Sequence, residues 1–142
     1  FAFYYDFIRK NAQYFNGYED AFYTNTQIEN RYLDFEKMPI YFEKYRRNFH
    51  AYVRAKPNDK NAPVVIHLVD WEIPNVDSTT FFLNEEYFFE RGIQNWEFIQ
   101  PQSEMVKEEN VESLTIEKTK DSMKITIPKL ENHWGILIVY PN

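Results

Sequence analysis

The chain opens with a helical rhythm. Phe3, Phe7, Asn11/Ala12, Phe15 and Tyr18 recur at steps of three and four, and polar Asp6, Arg9, Lys10 and Gln13 fall between them. This spacing predicts an amphipathic helix over about residues 2–15. Asn16-Gly17 follows, and glycine suits a left-handed helix end. The apolar stripe is mostly aromatic, which leaves two explanations open. The helix packs on the rest of this chain, or it is the last helix of a larger domain upstream. In the second case Phe3, Phe7 and Phe15 would lie exposed in the isolated chain. Residues 19–48 have no clean period, although Tyr18, Phe22, Tyr23, Tyr32, Phe35, Tyr41, Phe42 and Tyr45 are aromatic, and Pro39 breaks any helix near it. The segment reads as a long irregular connection with short elements.

The period then becomes two. Phe49, Ala51, Val53 and Ala55 alternate with His50, Tyr52, Arg54 and Lys56, which predicts a strand with one buried face. A turn cluster over residues 57–61 leads to Val64-Val65-Ile66-His67-Leu68-Val69-Asp70-Trp71, a β-branched run that reads as a central strand covered on both faces. A loop at Pro74 and residues 75–78 precedes a strand over 79–83. A short strand over 96–100 stops at Pro101, and the polar, acidic stretch 102–110 reads as a surface loop. Residues 114–117 and 124–127 flank a turn at 120–122, and residues 135–140 form a last apolar strand closed by Pro141. About seven short strands with turn signals every 8–12 residues predict a mainly β fold. The expected architecture is an antiparallel β-sandwich after an N-terminal helical segment, divided at residues 1–47 and 48–142.

Composition sharpens this picture. Of 142 residues, 13 are Phe, 11 Tyr and 3 Trp, an aromatic load that a disordered chain does not carry. The formal charge of −6 disfavours a nucleic-acid partner, which would need a clustered basic face. There is no cysteine, which excludes disulfides, thiolate metal sites and thiol nucleophiles. No apolar run approaches the roughly 20 residues that cross a bilayer, so no membrane partner is expected. The first residue is Phe1, and the chain reads as processed or as a piece of something longer.

Candidate chemistry is sparse. With 3 Gly in the chain, neither a nucleophile elbow nor a phosphate-cradling loop can be found. His50, His67 and His133 fall on separate strands or strand edges without metal-ligand spacing, and no metal or cofactor is expected. His67 lies in the most buried strand and reads as a core histidine hydrogen-bonded across the sheet. Glycoside hydrolysis needs two facing carboxylates, about 5–5.5 Å apart for retention or about 6.5–9.5 Å for inversion. Asp70, Glu72, Asp77, Glu85 and Glu86 are the candidates, but adjacent Glu85 and Glu86 would point to opposite faces of an extended segment. Trp71, Trp96 and Trp134 each fall at a strand end, where loops carry binding residues. They read either as stacking platforms for the apolar faces of sugar rings or as core aromatics.

Three short elements carry a resemblance. The stretch 48–71 with its Ile66-His67-Leu68 strand, the strand-then-proline at 96–103, and the Ile127-Pro128-Lys129-Leu130 to Trp134 to Ile136–Tyr140 closure resemble the C-terminal β-sandwich of multidomain glycoside hydrolases. The likeness is greatest to the dextranase and cycloisomaltooligosaccharide glucanotransferase family. It implies a non-catalytic accessory β-sandwich that supports a catalytic (β/α)₈ barrel of the same parent protein, in an extracellular or periplasmic setting. Residues 2–15 would then be the last barrel helix. No position matches the family's catalytic motifs, so no catalytic residue is carried over. The alternative is a stand-alone carbohydrate-binding module that holds a polysaccharide such as a glucan on exposed aromatics. Two further readings are an autonomous enzyme with a carboxylate pair in a pocket, and a protein-interaction sandwich with an exposed aromatic patch.

Overall fold

The computed structural model describes residues 2–29, 31–32, 34–72, 78–101, 114–119 and 122–142. The loops expected over 102–110 and around Pro74, and most of the turn at 120–122, lie outside them. The described residues are mainly β, with nine strands in two antiparallel sheets. The larger sheet runs β1 (Glu19–Asn25), β3 (Phe49–Ala55), β4 (Val64–Asp70), β9 (Trp134–Pro141), β6 (Ile93–Ile99). The smaller runs β2 (Ile40–Phe42), β5 (Thr79–Leu83), β8 (Met123–Ile127), β7 (Thr115–Lys118).

The alternating positions explain the packing. Phe49, Ala51 and Val53 of β3 and Val64, Ile66 and Leu68 of β4 face Ile40, Phe42, Phe81, Leu83, Met123, Ile125 and Ile127 of the smaller sheet. Each fully buried side chain of this kind contributes about 1.5–3 kcal/mol. Gly135 in β9 sits opposite Leu68. A Cβ there would lie 2.7 Å from Phe98 Cζ and 2.9 Å from Leu130 Cδ2, so only glycine lets those buried side chains close over the strand. At one end of the sandwich, the largely covered Arg46 guanidinium reaches Asp70 Oδ2 at 3.2 Å, the Ser78 carbonyl and the Thr79 hydroxyl. It thereby ties the end of β4 to the start of β5.

The segment 19–48, expected as a connection, contributes a strand to each sheet. β1 pairs with β3, with a bulge between Asp20 and Phe22, and β2 pairs with β5. Glu29, at the end of the short helix α2 (Thr26–Glu29), is buried and accepts the Phe42 N–H at 2.7 Å.

The N-terminal helix α1 (Ala2–Lys10) continues into a 3-10 turn at Ala12–Tyr14, and Gly17 takes φ 81° after it. Together they cover part of the outer face of the larger sheet. Phe7 and Tyr18 are buried with Val65, Ile136 and Ile138, and Tyr14, Phe15, Trp134 and Tyr140 pack around them. Tyr18 donates to the Pro63 carbonyl at 2.7 Å and Tyr4 to the Asn132 carbonyl at 2.8 Å. Of the two explanations for the aromatic stripe, packing on this chain's own sheet is the one observed. Phe7 is buried, and Phe3 and Phe15 are half-buried.

An aromatic pocket on the outer face of the larger sheet

Strand register sorts the outer face into rows. Asp20, Arg54, Val65, Ile138 and Glu97 form one, and Tyr23, Tyr52, His67, Ile136 and Ile99 the next. Asn25, His50, Val69 and Trp134 form a third. The helix covers the β9 side of these rows and leaves the β1–β3 side open. Where its cover stops, a pocket of about 410 Å³ opens, within the size range of small-molecule sites. Its walls are chiefly aromatic: Tyr4, Phe15, Tyr52, Trp71 and Trp134, with His67 and His133. Asp20, Arg54 and Asn132 bring the polar groups.

Each ring is held. Trp71 is 59% exposed, yet it stacks on His133 with centroids 5.7 Å apart and planes 23° from parallel. The backbone of β4's end fixes that pair. Trp71 N–H donates to the Asn48 carbonyl, and His133 Nδ1 donates to the Asp70 carbonyl at 2.8 Å. Asn48 and His133 both take positive φ, a conformation that aims the chain at this corner. Trp134 Nε1 donates to His67 Nδ1 at 3.1 Å, with the two rings 15° from parallel. Neutral His67 therefore carries its proton on Nε2, which is buried and finds no hydrogen-bond partner among the described residues. Burial first, and the Arg54 charge second, push His67 down to about 4. The ring is thus neutral across the physiological range.

Arg54 donates to the Tyr18 carbonyl at 3.0 Å, and its Nε lies 3.1 Å from Asp20 Oδ1 in an ion pair. The Asp20 side chain is 91% exposed, so one end of the pair faces solvent. A carboxylate beside a guanidinium offers an acceptor and donors with little net charge.

Of the three tryptophans named from sequence, Trp71 and Trp134 meet in this pocket. Trp96 does not. It pairs with Val139 on the inner side of the same sheet and packs against the core. His67 is buried on β4 and hydrogen-bonded across the sheet, as expected, to Trp134 of β9; His67 and His133 share the pocket while His50 stands on β3 bonded to Tyr23. Among the described residues no group of three or more His, Asp or Glu could hold a metal.

The acidic candidates scatter. Asp70 is buried against Arg46, and Glu72 is half-buried beside it, its N–H bonded to Asp70 Oδ1. Glu85 accepts the Ile93 N–H and pairs with Lys118. Glu86 is exposed, and Asp77 lies outside the described residues. Asp20 is the single carboxylate among the described residues lining the pocket, so they place no acid–base pair there.

Sequence reasoning passed over Tyr52, Arg54 and Asp20. The signal was present in the outward positions 50, 52 and 54 of the alternating strand, where an aromatic and a cation share the face away from the core. Comparison with family models, with curated proteins and with solved structures finds no match.

Proposed function

We propose that this chain is a non-catalytic β-sandwich that binds carbohydrate in the outer-face pocket, as an accessory module of a polysaccharide-degrading enzyme. The observation that carries the reading is the convergence of Trp71, Trp134, Tyr52 and Tyr4 with one Asp–Arg pair in a single open pocket. Sugar rings bury apolar C–H faces on aromatic planes, and their hydroxyls each need a donor and an acceptor nearby. The stacked Trp71–His133 pair supplies a plane, and Arg54 with Asp20 supplies both hydrogen-bonding senses. The lone carboxylate favours binding over hydrolysis. The link to glycoside hydrolases rests on the sequence resemblance, whose Ile66-His67-Leu68 and Trp134 elements form the neighbouring central strands β4 and β9.

A second reading uses the same exposed Trp71 and Tyr52 as the surface that a catalytic domain covers. The largely aromatic lining of the pocket favours it. One experiment separates them. The chain is titrated calorimetrically with soluble glucans and with malto-, isomalto- and cello-oligosaccharides, as wild type and as Trp71→Ala. Saturable binding that weakens at least about tenfold in Trp71→Ala, a change of about 1.4 kcal/mol, supports the sugar site. No heat with any glycan removes it and leaves the buttress.

A further inference from the structure

Beyond the pocket wall, Tyr52 leads on to further rings. Tyr23 lies beside it on the neighbouring edge strand, with centroids 4.8 Å apart, and His50 stacks on Tyr23 at 5.9 Å with planes 17° apart. The three rings form a shelf on the outer face of β1 and β3. Tyr23 and Tyr52 are 38% and 39% exposed. Hydrogen bonds hold the shelf in place. Asn25 Nδ2 donates to the Tyr23 hydroxyl at 2.8 Å, and that hydroxyl meets His50 Nδ1 at 2.6 Å. Exposed aromatics fixed in this way cost side-chain freedom and bury little, so the core does not account for them.

We propose that the site takes a linear, uncharged oligosaccharide, with one sugar unit in the pocket and the next units laid along the Tyr52–Tyr23–His50 shelf toward the β1 edge. This rests on the sugar-binding reading above and extends it from a ring to a chain. Continuity argues for it, since Tyr52 belongs both to the pocket wall and to the shelf. Charge argues for a neutral occupant. Among the described residues lining the pocket the one Lys or Arg is Arg54, and it is already paired with Asp20. A polyanion would need uncompensated Lys or Arg along its path. The hydroxyl, imidazole and amide of Tyr23, His50 and Asn25 present donors and acceptors beside the ring faces, which suits a hydroxyl-bearing chain.

The test is affinity against chain length. Malto-, isomalto- and cello-oligosaccharides of one to four rings are titrated into wild type, Tyr23→Ala and Tyr23→Phe, with a backbone amide spectrum of each variant as the fold control. Wild-type affinity for the preferred series should rise about three- to tenfold with each ring from one to three, the range of an added aromatic contact. Tyr23→Ala should remove that rise and leave one-ring affinity unchanged, and Tyr23→Phe, which keeps the ring, should retain most of it. Affinity that does not depend on length overturns the chain proposal while leaving the pocket reading intact. Equal loss at all lengths in Tyr23→Ala does the same. Binding of no sugar at any length overturns both.

Discussion

At the scale of single residues, two buried titratable groups pull in opposite directions. Glu29 is raised from 4.5 to about 7, chiefly by burial, with the Phe42 N–H opposing. Its folded state holds the proton more tightly than the unfolded state. The stability it contributes is full below pH 4.5 and is lost as pH rises through about 7. His67 is lowered from 6.5 to about 4. Its contribution is present above pH 6.5 and is lost as pH falls toward 4. Between these limits the two slopes offset each other, each about 1.4 kcal/mol per pH unit at most. Glu29→Gln should therefore unmask the His67 slope. Urea denaturation at pH 4.5, 5.5, 6.5 and 7.5 should show the variant gaining stability on wild type as pH rises. Parallel curves for the two proteins would show that Glu29 titrates normally.

At the scale of elements, the tie between β4 and β5 is the Arg46–Asp70 pair. Arg46 also lies over the Phe49 ring at 4.9 Å, so the cation is enclosed by core on one side. Asp70→Ala would leave it buried without its counter-charge, at a cost of about 3–5 kcal/mol. Asp70→Asn should cost less, since the amide oxygen still accepts. Chemical denaturation of both variants measures the difference, and equal midpoints would mean that the charge contributes nothing. Seven of the nine strands among the described residues were legible in the sequence, β6 and β7 as short runs over 96–100 and 114–117 and the other five by their apolar pattern. β3, β4, β5, β8 and β9 each place apolar side chains on the core face at every second residue. β1 was hidden because its bulge at Asp20–Phe22 resets the alternation, and because Tyr23 turns outward beside inward Phe22. β2 spans Ile40–Phe42 and is too short to show a period. The period predicts a helix over 2–15, and α1 stops at Lys10 because the chain then tightens to 3-10 at Ala12–Tyr14. The pocket was half legible. Tryptophan at strand ends pointed to Trp71 and Trp134, but only the register, which pairs Tyr52 with His67 and Arg54 with Val65, shows which outward residues surround them.

At the scale of the molecule, the sandwich separates two tasks. Its interior binds the sheets through the aliphatic and aromatic cluster, and the outer face of the larger sheet is divided between a helix that seals it and an aromatic surface that stays open. The sealing helix shapes the open part, since Phe15 sets its ring edge-on to His67 at 5.5 Å and Tyr4 joins the pocket wall. The sugar site proposed above occupies this open surface. The most direct measurement is an amide and indole chemical-shift map of the labelled chain during titration with the glucan oligosaccharides. Sugar binding there should give saturable shifts at Tyr52, Trp71, Asn132, His133 and the Trp134 indole, with Trp96 unmoved. Shifts centred on Trp96 or on the smaller sheet, or none with any glycan, would contradict it.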